Sequence, residues 1–315
     1  MGGKERAVTI EGLNALVESG GIDEYIRVCE ARQVKALSKI ADDITSRPGV
    51  RLALLAGASS AGKTTTAKRL CTQLRVDDRE AMLLSTDDYF VGNSRNPRDE
   101  NGEFDYECVE CVDMPRLAAD LNALLRGEAV HMRRFDFVAH EGFDEETTTS
   151  LPVGGIVVLE GIHALNPILT EHVADDCKYR LFIEPKTQLT VFANTRLQPA
   201  DGRLLRRLVR DNQFRKMSPI DTFNIWPKVL AGERKWIDPF RPFADAEFDS
   251  GLEYELSVLK NYVGGLLEMV KIKMPDEMRA RSLATMLSAI LPADPSKVPG
   301  DSILRETIGG SLLDY

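Results

Sequence analysis

Four short apolar runs stand out along the chain: residues 50–56, 81–85, 155–160 and 179–183. Each is too short for a core helix and too uniformly apolar for a strand with one wet face. They predict buried strands of a parallel sheet. Between them the pattern changes to helical spacing. Residues 10–46 read as largely helical, with Val34, Leu37, Ala41 and Ile44 on one stripe, and Arg47-Pro48-Gly49 as the stop. Further helices are predicted over 64–74, 114–125, 187–216 (with a loop near 199–202), 251–270 and 276–291. Residues 92–105 read as a loop, 129–138 as extended and 139–155 as a polar excursion. The tail beyond 291, with Pro295, Pro299 and Gly300, reads as irregular. Strands alternating with helices predict an α/β fold with a parallel sheet covered on both faces.

Composition narrows the picture. The 315 residues are 43% hydrophobic and 28% charged, as in ordinary globular proteins. A net charge of −9 disfavours nucleic acid as a partner. No run of about 18 apolar residues predicts a membrane span, and Met1-Gly-Gly-Lys-Glu-Arg lacks the apolar core of a signal peptide. Five scattered cysteines suit reduced thiols and a cytoplasmic location. Cys108 and Cys111 form a C-x-x-C, but a zinc ribbon needs a second pair, so they read as two partly buried thiols.

Gly57-Ala58-Ser59-Ser60-Ala61-Gly62-Lys63-Thr64 follows the first strand and opens a helix. It satisfies G-x-x-x-x-G-K-[ST] at every fixed position. Gly57 and Gly62 allow backbone angles that turn the N–H groups of Ser59, Ser60 and Ala61 inward around a phosphate, and Thr65 extends the cradle into the helix. Lys63 places a point charge on the β- and γ-phosphates, and Thr64 offers a hydroxyl to Mg²⁺. ATP and Mg²⁺ are the cofactors this predicts.

No N-K-x-D or L-S-G-G-Q motif accompanies the loop, which sets aside GTPases and transporter ATPases. Glu160 ends the third strand, where a carboxylate facing the phosphate loop can serve Mg²⁺. Asp87 ends the second strand, where ligands gather in open α/β sheets. It is the candidate base for an acceptor hydroxyl. Arg203, Arg206, Arg207 and Arg210 share one helical face. Arginines on a closing helix can clamp the phosphates, with Arg203 and Arg206 serving catalysis and Arg207 the nucleotide.

These residues, taken in order, resemble the uridine kinase and phosphoribulokinase family of P-loop kinases. The resemblance rests on the phosphate loop, Ser85-Thr86-Asp87-Asp88-Tyr89-Phe90, Phe104-Asp105, Arg134-Phe135-Asp136-Phe137-Val138-Ala139-His140, Leu159-Glu160-Gly161-Ile162-His163-Ala164-Leu165, and the stretch Asp201 to Asp211. The terminal regions are similar to a longer bacterial subgroup of uridine-kinase-like proteins. The resemblance implies a three-layer P-loop fold with a small substrate-binding β/loop insertion, a helical lid and extra terminal helices. The expected division is an N-terminal helical extension over 1–48, a kinase domain over 49–270 with its insertion at about 90–150 and lid at about 198–216, and a C-terminal helix and tail over 271–315. It also implies that Asp87 activates a ribose 5′-hydroxyl, that Asp105 holds ribose hydroxyls, that Tyr89 and Phe104 bind the substrate, and that Phe135, Phe137 and His140 surround a pyrimidine. Thr64, Asp87 and Glu160 would serve Mg²⁺. A homo-oligomer is suggested by the family alone.

The departures concern the acceptor. Phe135 replaces a usual Tyr, and Tyr106-Glu107-Cys108-Val109-Glu110-Cys111 replaces a usual His-Pro-Asp-Ala-Phe-Asp. A missing base-reading hydrogen bond alters discrimination strongly. These departures leave phosphoryl transfer intact and bear on the acceptor alone, and the resemblance makes a uridine or cytidine kinase the leading expectation. A kinase for a sugar phosphate, pantothenate or a polyol, a nucleotide-binding regulatory protein and an RNA-binding protein are the alternatives.

Overall fold

The computed structural model describes residues 8–100, 102–136, 139–186, 189–192 and 195–314. The chain begins with a two-residue strand β1 (Val8–Thr9), then α1 (Ile10–Glu18) and α2 (Ile22–Thr45). Next come β2 (Leu52–Ala56), α3 (Lys63–Val76), β3 (Ala81–Ser85) and α4 (Met114–Leu125). A hairpin of β4 (Val130–Asp136) and β5 (Glu141–Thr149) precedes β6 (Ile156–Glu160), β7 (Lys178–Glu184), β8 (Leu189–Phe192) and β9 (Thr195–Arg196). The remainder is α5 (Pro199–Phe214), α6 (Pro219–Trp236), β10 (Ala246–Asp249), α7 (Glu255–Lys273), α8 (Met278–Ser288) and the one-turn α9 (Arg305–Ile308).

Five strands form a parallel sheet in the order β10–β7–β2–β6–β3. The side-chain period of two divides each central strand between two cores. Leu52, Leu54 and Ala56 join Val157, Leu159 and the Leu117, Leu121 and Leu124 stripe of α4. Ala53 and Leu55 join Ile156 and Val158 on the opposite face, under Leu37, Ala41 and Ile44 of α2 and Leu70 and Leu74 of α3. This is the three-layer α/β fold that the apolar runs predict. A third, helical core joins α1, the first half of α2 and α5 to α8 around Trp226, Tyr254 and Leu204. Among the described residues no helix is long and apolar enough to cross a membrane.

Several elements depart from expectation. Residues 10–46 form two helices, broken where Gly20 takes φ +74°. Val34 is 39% exposed, whereas Leu37, Ala41 and Ile44 are buried. The buried face of α2 runs instead through Ile26, Glu30 and Gln33, because the two polar groups find partners inside. The polar excursion contains β5, antiparallel to β4 and without a buried position, so no apolar alternation marks it. The helix expected over 187–216 starts only at Pro199, and residues 199–202 form its first turn rather than a loop. Proline at the first helical position has the right φ and lacks only an N–H that would be unpaired there anyway.

β2 ends so close to β7 that a Cβ on Gly57 would collide with the carbonyl oxygen of Ile183. The obstacle is backbone on both sides and cannot rotate away. Gly57→Ala is expected to lower stability by about 1–3 kcal/mol. Gly264→Ala, within α7 and with open space around it, is expected to raise it by about 0.5–1 kcal/mol through helix propensity. Calorimetric melting of the two variants checks both signs, and an unshifted Gly57→Ala would contradict the close approach.

Candidate active site

The turn from β2 into α3 is shaped by two left-handed residues, Ser60 at φ +61° and Gly62 at φ +82°. Such an alternation faces successive N–H groups inward. No side chain caps the 14-residue helix α3, so its positive end opens onto the same concavity. Lys63 folds back over the loop, its Nζ donating to the Ala58 carbonyl at 3.3 Å. Thr65 is fully buried and donates to Glu306 Oε2 at 2.9 Å.

Glu160, 3% exposed at the end of β6, is the hub of the phosphate side. Its Oε1 accepts from Thr64 Oγ1 at 3.1 Å and from Ser85 Oγ at 2.8 Å. Strand register dictates the second contact, since Ser85 stands opposite Glu160. Burial, reinforced by the charge of Asp87, pushes the Glu160 carboxyl up to about 7 against the pull of Lys63. Asp87 sits in a single 3₁₀ turn, Thr86–Tyr89, with its N–H donating to Ser85 Oγ at 3.3 Å. Thr64, Asp87 and Glu160 thus offer oxygen only, one hydroxyl and two carboxylates. That set suits Mg²⁺, which completes its shell with water and phosphate oxygens. Among the described residues no group of three or more His, Cys, Asp or Glu could hold a metal unaided.

The residues expected to meet the acceptor lie mainly in the loop between β3 and α4 and the β4–β5 hairpin. Asp105 Oδ1 accepts from the Glu107 N–H at 3.0 Å. The Asp105 carbonyl accepts from both Cys108 Sγ (3.2 Å) and Cys111 Sγ (2.8 Å), whose sulfurs are 3.4 Å apart. The two thiols are buried, and burial raises both pKa values. Phe104 carries the Arg98 guanidinium over its ring at 4.2 Å, and its carbonyl accepts from Lys228 at 3.0 Å. Phe135 meets Phe90 edge-on at 5.7 Å. His140 lies exposed at the β4–β5 turn with φ +56°, its carbonyl against Gly92. Phe137 falls outside the described residues. Tyr89 corrects the expectation that it lines the acceptor. It is 1% exposed and its hydroxyl donates to Asp120 on α4 at 3.1 Å, because the 3₁₀ turn rotates it into the core.

Two residues with no role assigned from the sequence complete this side. Glu107 lies within electrostatic reach of Arg207, Lys63, Asp105 and Asp87, and burial pushes its carboxyl up to about 7. His163 is 1% exposed just after β6, and burial pushes its imidazole down to about 4, so the ring is neutral. The backbone of Cys108 and Glu107 comes close to that ring, but neither ring nitrogen has a well-formed hydrogen bond. Glu107 was visible only as a departure from a family pattern, and His163 only as a motif member.

The arginine face of α5 is not a solvated one. Arg203, Arg206 and Arg207 are 3%, 1% and 8% exposed. Arg203 pairs with Glu233 at 2.7 Å and donates to the Ser59 carbonyl at 3.3 Å. Arg207 pairs with Asp211 at 3.1 Å and donates to Ser59 Oγ at 2.8 Å. Arg206 pairs with Glu255 and donates to the Ser250 carbonyl at 2.9 Å. The stretch expected as a lid is also core, since Leu204, Leu205, Leu208 and Val209 are fully buried. An amphipathic helix with one apolar and one arginine face joins core and phosphate loop at once.

Known proteins resemble the chain over this region. A uridine kinase of Lactobacillus johnsonii is 28% identical over 220 residues, covering 69% of this chain and 95% of that protein. One from Deinococcus deserti is 29% identical over 198 residues, covering 62% and 86%. A solved structure described as a possible uridine kinase from Bacillus stearothermophilus aligns with a TM-score of 0.44 at 17% identity, covering 70% of this chain and all of that one. The family model described as phosphoribulokinase / uridine kinase family matches residues 53–256, from β2 through the start of α7. With the phosphate loop, Asp87, Glu160 and the α5 arginines all inside that match, the chain belongs to the phosphoribulokinase / uridine kinase family.

Proposed function

We propose that this chain is an ATP- and Mg²⁺-dependent kinase that phosphorylates a hydroxyl of a small molecule, with the 5′-hydroxyl of a pyrimidine nucleoside as its leading acceptor. The observation that carries the reading is the bridge through Glu160 Oε1. It ties Thr64, at the mouth of the phosphate loop, to Ser85, whose hydroxyl also holds the Asp87 turn. A donor triphosphate in the loop and an acceptor hydroxyl at Asp87 are thereby set side by side. The hydroxyl oxygen forms a bond to the γ-phosphorus, the bond to the bridging oxygen of ADP breaks, and Asp87 accepts the hydroxyl proton. Lys63, with Arg203 and Arg207 beside Ser59, supplies positive charge around the phosphates. Mg²⁺, held by Thr64, Glu160 and Asp87, would neutralise phosphate charge.

Asp87 and Asp105 bring two carboxylates to the acceptor side, within reach of Glu107. That favours a neutral polyhydroxyl acceptor over a sugar phosphate, and the similarity to uridine kinases supports a nucleoside. Asp105 would accept from ribose hydroxyls, and Phe104 and Phe135 would offer aromatic walls.

Lys63→Ala is expected to lower turnover by about 10²-fold or more. Asp87→Asn is expected to lower kcat by about 10²–10⁴ while ATP binding is retained. Both are checked by ATP consumption with Mg²⁺ over a panel of pyrimidine and purine nucleosides, ribulose 5-phosphate, pantothenate and polyols. Turnover with ribulose 5-phosphate and none with nucleosides would contradict the acceptor assignment.

Glu107 gives a pH signature. Its pKa is about 7 in the folded chain against an ordinary value of 4.5. The folded state therefore holds a proton that the unfolded state has lost, and stability falls as pH rises from about 4.5 through 7. Glu107→Gln has no proton to lose. Its thermal midpoint should match the wild type near pH 5 and exceed it by a few degrees near pH 8. An equal pH slope in the two proteins would show that Glu107 ionises freely.

A further inference from the structure

Residues beyond 256 lie outside the family match, yet the C-terminal tail is built against the phosphate loop. Ile303 sits directly over Gly62, where any Cβ would collide with it. Glu306 accepts from Thr65 in the first turn of α3 at 2.9 Å. The tail is firmly held. Arg305 donates to the carbonyls of Val298 (2.5 Å), Pro295 (3.1 Å) and Gly309 (3.1 Å). Buried Ser302 donates to Glu30 of α2 at 2.6 Å. Between tail, loop and α5 lies a narrow, closed-in cleft lined by Ser60, Gly62, Arg206, Arg210, Ile303, Thr307 and the carboxylate-bearing Glu306 that Thr65 engages.

The cleft contains unmet donors. Arg206 is 1% exposed, and its Nε and Nη1 have no hydrogen-bond partner, nor does Ser60 Oγ. Buried N–H groups of a guanidinium without acceptors are costly, and a ligand oxygen or ring nitrogen would satisfy them. The position also has a direction. Glu160 meets the loop through Thr64 and reaches the Asp87 turn through Ser85, whereas Glu306 of the tail meets it through Thr65, one residue further around α3, so the terminal phosphate and acceptor belong with Thr64 and the Asp87 turn. A triphosphate threaded through the loop would leave its nucleoside end on the tail side. Ile303 and Thr307 offer methyl groups there, suited to the face of a planar base.

We propose that the C-terminal tail, residues 299–310, forms a wall of the donor site, with Ile303 and Thr307 against the base and ribose of the nucleoside triphosphate and Arg206 donating to it. The inference rests on the kinase reading above, and the two can fail separately. Tripolyphosphate reports on the phosphate loop alone, whereas ATP also reports on the tail. By titration calorimetry the wild type should bind ATP at least tenfold more tightly than tripolyphosphate. Thr307→Phe, which fills the cleft, should weaken ATP about tenfold or more and leave tripolyphosphate within about twofold. Ile303→Val, a smaller change that keeps the fold, should weaken ATP about two- to threefold with tripolyphosphate again unchanged. Equal loss for both ligands in Ile303→Val, or no loss for ATP in either variant, would overturn the tail assignment. A wild type that does not bind tripolyphosphate would instead overturn the phosphate-loop reading on which it rests.

Discussion

One carboxylate oxygen joins the three chain segments on which the site depends. Glu160 Oε1 receives a hydroxyl from the start of α3 and another from the end of β3, and its own backbone lies in β6 between β2 and β3. A buried carboxylate is costly unless its lone pairs are occupied. Here the two hydroxyls and the nearby Lys63 offset burial only in part, which is why the carboxyl stays well above the usual range. A shorter Asp ending the same strand would draw back from both hydroxyls and loosen the loop from β3. The same geometry brings the Thr64 hydroxyl, the Glu160 carboxylate and the Asp87 turn together. The hydrogen bonds that order the loop and the groups proposed for catalysis are thus the same atoms.

A second buried carboxylate explains why the chain carries terminal helices. Glu30 of α2 accepts from Tyr254 at 2.6 Å and Ser302 at 2.6 Å, and pairs with Arg69 of α3 at 3.6 Å. Four separate parts of the chain meet there. Removing the Glu30 carboxylate would leave Arg69, 6% exposed, as a buried charge without its ion pair. The N-terminal helix therefore holds α3, whose first turn closes the phosphate loop, and through Ser302 it also holds the tail that covers Gly62.

Legibility in the sequence followed how local each feature is. The phosphate loop could be read because its backbone requires Gly57 and Gly62 and its chemistry requires Lys63 and Thr64, all within eight residues. The central strands could be read because burial on both faces leaves only apolar residues. β5 could not, since both of its faces are polar. Tyr89 misled because motif membership says nothing of direction, and one 3₁₀ turn sends it towards Asp120 while Asp87 stays at the site. The Ser302–Glu30 bond spans 272 residues, and no local pattern announces it. Glu107 and His163 belong to the same class, since only packing brings them beside Lys63 and Asp105.

The arginines of α5 show how electrostatics and packing are settled together. Asp211, fully buried, faces Arg207 at 3.1 Å, Arg210 at 2.7 Å and Arg215 at 3.8 Å. One carboxylate among three guanidiniums leaves positive charge in excess, shared by the largely buried Arg207 and Arg210 and the half-exposed Arg215. Repulsion of this kind weakens the core that must contain it, because like charges in a low-dielectric setting are poorly screened. A triphosphate in the adjoining loop would supply the missing negative charge through Ser59, to which Arg203 and Arg207 already reach. Excess charge that a hydrophobic helix face could have avoided is retained beside the loop, the one place where the proposed donor turns it into binding energy.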